Sequence, residues 1–565
     1  MVDSVPINKL SEGEEEGEDD PLLSLLQLIQ QTAHASFGHS ATFDPKPYLD
    51  LSLKTPLSSA SCAFRELLAS TNGTPEVREL SRYLEDHFEE AGADVEPYEP
   101  PDFEEDGPEG FLPRVESDVV RWWGLEVHRL WRSLSSRVVA RVRECPERHT
   151  VVDLPEGFMV PGSRFRELYY WDSYWVIRGL LASKMYVTAS ATVTNLIALG
   201  ARYGYVINGA RTYYANRSQP PLLSAMIRET FNATQNLGLI KSSLNVLVRE
   251  HQFWNSGKHK VIIQGPDGRQ HCLSRYFAKW NRPRPESSTI DKESASNVSE
   301  KEGFYRELAS AAESGWDFSS RWMRNPADFT TTRTTLVLPV DLNAFILGME
   351  RDIAFFAELT GDKRTAERFW TASRERVEAI NAIFWNEHMG QWLDYWLDDD
   401  SLLEPHTWKA SRQNKNVFAS NYIPLWLQPI YTDHLVVEKV VRSLQDSGLI
   451  CPAGIATSLN NSGQQWDFPN GWAPLQHMIV EGLVKSGLEE ARALAEDISS
   501  RWIKTNYAVF KRTGEMHEKY DVTNPGEFGG GGEYVPQTGF GWSNGVVLSF
   551  LEEFGWPGDR EMDAH

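Results

Sequence analysis

Apolar residues recur every three or four positions along much of the chain, and that spacing predicts helices with one buried face. Val119, Trp123, Val127, Leu130, Leu134 and Val138 form one such stripe; Leu342, Phe345, Met349, Ile353 and Phe356 form a second; Leu488, Ala491, Ala495, Ile498 and Trp502 form a third. Gly361 stands where the second helix should stop. The stretch 258–277 departs from this period: Val261-Ile262-Ile263 followed by Gln264-Gly265-Pro266-Asp267-Gly268 predicts a small hairpin. Long polar, Gly/Pro-rich connections lie between the helical stretches, and on a helical scaffold such connections usually carry the functional residues. No internal repeat is visible, which argues against a solenoid but not against a ring of antiparallel helix pairs.

The ends of the chain read differently. Residues 1–20 close on Ser-Glu-Gly-Glu-Glu-Glu-Gly-Glu-Asp-Asp, which cannot bury enough apolar surface to offset its ordering entropy, so a disordered acidic tail is expected there. The apolar run that follows, Pro21 to Ile29, is too short and too closely flanked by acid for a transmembrane span or a secretory signal. From 21 to 112, short helical patterns alternate with Pro-rich joins such as Pro97-Tyr98-Glu99-Pro100-Pro101, an extension laid over a main body at 113–556; residues 557–565 are expected as a flexible tail.

Composition narrows the chemistry. A formal net charge of -23 over 565 residues disfavours nucleic acid, whose phosphates need clustered Lys and Arg. Cys62, Cys145, Cys272 and Cys451 lie far apart without CxxC spacing, and no HExxH occurs, so no metal and no cofactor are expected. The 20 Trp and 19 Tyr supply flat faces on which sugar C–H groups can stack, although most aromatics in any protein are core. Five Asn-x-Ser/Thr triplets begin at Asn72, Asn216, Asn232, Asn297 and Asn460 and leave the compartment open.

Several connections concentrate candidate groups. Glu313-Ser314-Gly315-Trp316-Asp317-Phe318-Ser319-Ser320-Arg321-Trp322 sets a carboxylate between tryptophans behind a glycine, and an acid held there could protonate a sugar oxygen. Taken alone, Asp317 reads equally well as a helix cap. The segment 161–175 packs Arg164, Arg166, Glu167, Asp172, three Tyr and two Trp into fifteen residues, a density hard to explain by packing. Asn208-Gly209-Ala210-Arg211, Asn216 to Pro221, and Arg284-Pro285-Glu286-Ser287 are weaker polar connections, each explicable as a solvated loop. Gln464 to Pro474 again brackets a carboxylate, Asp467, with Trp466 and Trp472. Glu518 follows His517, and Glu533 follows four glycines; Glu515 and Glu527 compete with both for any role as a base. His517 and Lys519 flank Glu518, but neighbours in a strand point apart, so neither is expected to tune it.

The 161–175 and 464–474 segments resemble the two long motifs of the trehalases of glycoside hydrolase family 37, and the Gly-rich segment around Glu533 resembles a third block. The likeness runs over roughly 155–556 and is nearest to plant trehalases, some of which are extracellular or anchored at the plasma membrane; Ser163 stands where many relatives have a second glycine. The resemblance implies an all-α (α/α)6 barrel with its pocket at one end, hydrolysing α,α-trehalose with water to two glucose molecules by inversion. It assigns Asp317 as general acid and Glu518 as general base. It gives Arg164, Trp171, Asp172, Asn208, Arg217, Ser218, Gln219, Arg284, Glu286, Gly315 and Glu533 to substrate. It also implies a monomer. Inversion needs room for a water, so the two carboxyls should stand roughly 6.5–9.5 Å apart. A glycan on Asn216 would block such a pocket, so that site is expected bare. Two other readings remain: an inverting (α/α)6 glycosidase acting on longer glycans, and a sugar-binding protein without catalysis.

Overall fold

The computed structural model describes residues 20–37, 43–398, 405–427 and 434–562. The acidic tail expected at 1–20 lies, except for Asp20, outside the described residues. In chain order the helices are α1 (Pro21–Phe37), α2 (Lys46–Leu49), α3 (Leu57–Ser70), α4 (Val77–His87), α5 (Asp118–Leu134), α6 (Ala140–Glu144), α7 (Asp172–Ala182), α8 (Tyr186–Tyr203) and α9 (Leu223–Thr234). They continue with α10 (Leu237–Trp254), α11 (Ser288–Ser294), α12 (Lys301–Glu313), α13 (Val340–Thr360), α14 (Lys363–Ile383), α15 (His434–Asp446), α16 (Ala473–Lys485), α17 (Glu489–Thr513) and α18 (Gly541–Phe554). Among the described residues strands are short and form sheets of at most three, including the expected hairpin, Lys260–Gln264 paired antiparallel with Gln270–Ser274.

An inner ring closes on itself: α7 touches α9, α9 touches α13, α13 touches the 3-10 segment Ala419–Trp426, that segment touches α16, α16 touches α18, and α18 returns to α7. Outside it, α5 packs on α18, α8 on α7 and α9, α10 on α9 and α13, α14 on α13, α15 on the 3-10 segment, and α17 on α16 and α18. Six inner and six outer elements make the (α/α)6 barrel. The residue pattern explains the sorting. In α7, α13, α16 and α18 two thirds or more of the positions are buried, as a helix covered on most sides requires, whereas α14 buries only a stripe that includes Phe369, Ser373, Arg376 and Ile380.

Connections from inner to outer helices are two or three residues long where α7 meets α8, α9 meets α10, α13 meets α14 and α16 meets α17. Gly361 ends α13 in the left-handed region at φ 81°, the helix stop that its position predicts. Connections from outer to inner helices are long and all emerge at the opposite end of the ring, so the excess chain collects on one face.

The expected stripe on α5 holds at Trp123, Val127 and Leu134, is half-buried at Leu130 and fails at its two ends. Val120, Trp123, Val127, Trp131 and Leu134 are buried, Val119 is 48% exposed, and Val138 lies beyond the helix in a strand paired with Val95. Apolar residues occupy both 119 and 120, so spacing alone allows either face; packing of α5 on α18 selects the second.

Helices α7 and α18 make the closest contact in the ring. A Cβ at Gly179 would collide with Gly545 and Trp131, and one at Gly545 would collide with the Trp175 carbonyl. Overpacking of this kind costs about 1–3 kcal/mol. Gly545→Ala is therefore expected to lower the thermal unfolding midpoint by several degrees; an unchanged midpoint would mean that the two helices can part freely.

The segment 20–112 has its own apolar cluster. Leu22, Leu26 and Ile29 of α1, Phe64 of α3 and Leu80 and Tyr83 of α4 pack together and onto Tyr169, Tyr213 and Tyr214 of the barrel. Charges seal the seam. Lys46 Nζ lies 2.7 Å from Asp50 and 2.9 Å from Glu167, and Arg211 reaches Glu167 at 2.9 Å and Asp94 at 3.0 Å, all nearly inaccessible. Removing one partner of such a set leaves an uncompensated buried charge, at a cost of about 3–5 kcal/mol. At the other end, within 557–562, expected as part of a flexible tail, Met562 is buried and Arg560 pairs with Glu496 at 2.6 Å, while Gly558, Asp559 and Glu561 are exposed. Residues 563–565 lie outside the described residues.

Candidate active site

The long connections preceding α7, α9, α13, α16 and α18 converge on one cavity of about 700 Å3 including its mouth. Of the residues expected there, Arg164, Trp171, Asp172, Asn208, Arg217 and Gln219 line it, as do Arg284, Glu286, Gly315, Asp317, Glu518 and Glu533. Ser218 does not. It is fully buried behind the wall, where its hydroxyl donates to the Val206 carbonyl at 2.6 Å and its amide donates to Glu313 at 3.2 Å. Gly315 adopts φ +74°, and a Cβ there would meet the Trp171 ring at 2.8 Å, so both its backbone conformation and its neighbour demand glycine.

The carboxyl groups occupy unlike surroundings. Asp317 is not a helix cap; the cap of the following 3-10 turn is Ser319. Its side chain is 32% exposed, and Arg284 Nη1 stands 3.5 Å from Oδ2. Burial in the protein raises its pKa to about 6 against the pull of Arg284 and Arg217, with Glu286 adding to the rise. Glu518 is nearly inaccessible; its Oε1 accepts the Tyr534 hydroxyl at 2.7 Å and its Oε2 accepts the Gln537 amide at 3.4 Å. Asp172, the first residue of α7, is pushed up to about 8 by burial and then by the charges of Glu518 and Asp317. Burial also raises Glu533, with Arg284 opposing. In Glu286 burial is outweighed by Arg217 and Arg284, and its carboxyl is held below the usual range. Of the competing glutamates, Glu515 is exposed and Glu527 pairs with Arg512 at 2.7 Å, both away from the cavity.

Each arginine is fixed by a different acid. Arg284 makes a fork to Asp291, with Nη2 at 2.6 Å, and reaches Glu533 at 2.9 Å. Arg217 donates to Glu286 at 2.5 Å and to Asn208 at 2.8 Å. Arg164 donates from Nε and Nη2 to the two oxygens of Asp44, each at 2.8 Å. Arg217 also donates to Asn216 Oδ1 at 3.0 Å, and Asn216 Nδ2, the atom to which a glycan would attach, is buried.

Several groups escaped the sequence reading. Trp466 and Trp472 line the cavity and stack face to face with centroids 4.0 Å apart, and Trp316 stacks behind Trp466 at 5.3 Å. Asp467, the carboxylate bracketed in that motif, points away and binds the Asp317 loop, accepting the Ser320 amide at 2.7 Å and the Ser319 and Ser320 hydroxyls at 3.1 and 3.0 Å. Gln465 secures the same loop by donating to the Asp317 carbonyl at 2.6 Å. Glu518 and Lys519 precede the short strand Tyr520–Asp521, so strand alternation does not govern Lys519. Its long side chain turns back, donates to Gln465 at 2.7 Å and brings Nζ within 3.8 Å of Glu518 Oε2. Only the repeated Trp–Asp–Trp theme hinted at any of these.

The arrangement can deliver a proton from one carboxyl and accept one at another, beside aromatic faces and a fence of charged hydrogen-bond donors. Among the described residues no helix is long and apolar enough to cross a membrane. The trehalase family model matches residues 40–555. The chain is 55% identical over 549 residues to a trehalase of Arabidopsis thaliana, covering 96% of this chain and 87% of the relative. It is 55% identical over 557 residues to a probable trehalase of Oryza sativa, covering 97% and 98%, and 37% identical over 518 residues to a human trehalase, covering 91% and 86%. Among solved structures it is similar to a neutral trehalase from Saccharomyces cerevisiae, with a TM-score of 0.57 and 25% identity over 70% of this chain and 73% of that one. On the family match and the near full-length likeness to the plant proteins, this chain belongs to the trehalase family.

Proposed function

We propose that the chain hydrolyses α,α-trehalose to two glucose molecules with inversion at one anomeric carbon, Asp317 acting as general acid and Glu518 as general base. The observation that carries this reading is that the two carboxyl groups share one cavity but differ in environment. Asp317 sits with a pKa raised to about 6, able to hold a proton, while Glu518 is held at both oxygens, by the Tyr534 hydroxyl and the Gln537 backbone amide.

A glycosidic oxygen leaves poorly until it is protonated, and water attacks poorly until a base takes its proton. Asp317 gives its proton to the oxygen linking the two sugars as the bond from that oxygen to one anomeric carbon breaks. A water on the opposite face bonds to that carbon while Glu518 takes its proton. Asp317 ends ionised and Glu518 protonated, and exchange with solvent restores both. Trp171, Trp466 and Trp472 give the cavity an aromatic wall, with Trp466 held between Trp316 and Trp472. Trehalose carries no charge, so Arg164, Arg217 and Arg284 serve as donors of charged hydrogen bonds to hydroxyls and as counterweights to five cavity carboxyls. Asp172, Asn208, Gln219, Glu286 and Glu533 offer the complementary partners. Ser218 supports the wall from behind rather than touching the sugar. All of these groups come from one chain, so no second copy is needed to complete the site.

Proton NMR of the anomeric signals in the first minutes of trehalose hydrolysis tests the reading. Equal early amounts of α- and β-glucose are expected. Release of α-glucose alone would mean retention, and no release would return the search to other glycosides.

A further inference from the structure

Asp44 lies in the segment that precedes the barrel, 120 residues before Arg164, yet its carboxylate takes both Nε and Nη2 of that arginine at 2.8 Å. This parallel two-point geometry fixes the plane of a guanidinium as well as its position. Asp44 takes two of the five N–H donors of Arg164, and the three that remain, two on Nη1 and one on Nη2, are free for a ligand in the cavity that Arg164 lines. The guanidinium carbon stands 4.7 Å from the centroid of the Tyr534 ring and 5.3 Å from that of Phe165, so the group is clamped between a carboxylate and aromatic faces. The same Tyr534 donates to Glu518 Oε1. A continuous set of contacts therefore runs from the amino-terminal segment to the second cavity carboxylate.

We propose that Asp44 is a positioning residue of this active site, acting on the reaction through Arg164, so that the segment before the barrel forms part of the catalytic apparatus. The proposal rests on the reading that Arg164 binds the sugar. Two features separate it from a purely structural role. The segment is anchored independently by Lys46, Asp50, Glu167 and Arg211 and by its own apolar cluster, none of which needs Asp44. Asp44 does have one local duty, since its Oδ1 also accepts the Lys46 amide at 3.1 Å at the start of α2. Asn keeps that acceptor while losing the charge and one arm of the fork.

The test is a double-mutant cycle on the full chain with Asp44→Asn, Asp44→Ala, Arg164→Ala and the double variants, reading kcat and KM for trehalose separately alongside the thermal midpoint. Misplacing a positioning group costs up to about 10²-fold, and a loss of about 10-fold to 100-fold in kcat/KM is expected for Asp44→Ala. Asp44→Asn should lose activity in the same sense with its midpoint unchanged. In the Arg164→Ala background, neither change at Asp44 should have any further effect. Wild-type kcat/KM in both Asp44 variants, with Arg164→Ala impaired, would overturn the proposal and leave the trehalase reading intact. Losses at Asp44 that multiply with that of Arg164→Ala would also overturn it, because Asp44 would then act by another route. An Arg164→Ala enzyme as active as wild type would remove the basis of both this proposal and the assignment of Arg164 to substrate. Should Asp44→Ala not fold, the Asn variant carries the cycle alone.

Discussion

Asp317→Asn is expected to lower kcat on trehalose by about 10²–10⁴-fold, the usual contribution of a general acid, while leaving the fold intact, since the Asp317 loop is held by Asp467 and Gln465 rather than by the Asp317 side chain. The decisive control is the leaving group. Glucosyl fluoride departs without needing a proton, so the variant should hydrolyse it at close to the wild-type rate; an equal loss on both substrates would mean that Asp317 does something other than protonate. The acid works only while it holds its proton, and its pKa is raised to about 6 by burial against the pull of Arg284. Wild-type kcat/KM should therefore fall as pH rises through about 6, and this alkaline limb should be missing from the residual activity of Asp317→Asn. If the limb survives the substitution, it belongs to another group; Asp172, raised to about 8, and Glu533, also raised, are the candidates in the same cavity.

Glu518→Gln should cost a similar factor, about 10²–10⁴-fold, but with the opposite substrate pattern. A better leaving group does not help when attacking water has lost its base, so glucosyl fluoride should be hydrolysed as poorly as trehalose. Azide, which needs no deprotonation, should restore turnover and give the glucosyl azide of inverted configuration. Glutamine preserves an acceptor for the Tyr534 hydroxyl at the Oε1 position, so the cavity wall should stand. Were azide to give no rescue, while Glu533→Gln or Asp172→Asn were rescued in its place, the base would have to be reassigned to that residue.

Helix α13 was legible because its stripe from Leu342 to Phe356 and its stop at Gly361 are both local: one follows from 3.6 residues per turn, the other from a φ that glycine adopts without strain. On α5 the same rule found Trp123, Val127 and Leu134 but took Val119 in place of Val120, since two adjacent apolar positions satisfy the period equally and contact with α18 breaks the tie. The long motifs at 161–175 and 464–474 stood out by density, yet density does not tell which side chain faces the cavity. Within one run of three residues, Arg217 and Gln219 face inward and Ser218 is turned back against Val206. In the second motif the tryptophans line the site while the carboxylate between them binds serines of another loop.

The helical architecture, the elements that carry chemistry and, through the resemblance those elements bear, the reaction can all be read from the residues in order. These rest on short-range periodicity and on residues grouped within a few turns of chain. Tertiary structure alone decided which groups pair: Arg164 with Asp44, Arg284 with Asp291 and Glu533, Lys519 beside Glu518, and Asp467 against Ser320. Ion pairs and hydrogen bonds depend on distance in space, and apart from the neighbouring pairs Arg284–Asp291 and Lys519–Glu518 these partners lie more than a hundred residues apart. No local spacing records the distant pairs, and only closure of the helix ring brings their long connections to one end, where an unpaired buried charge would be costly.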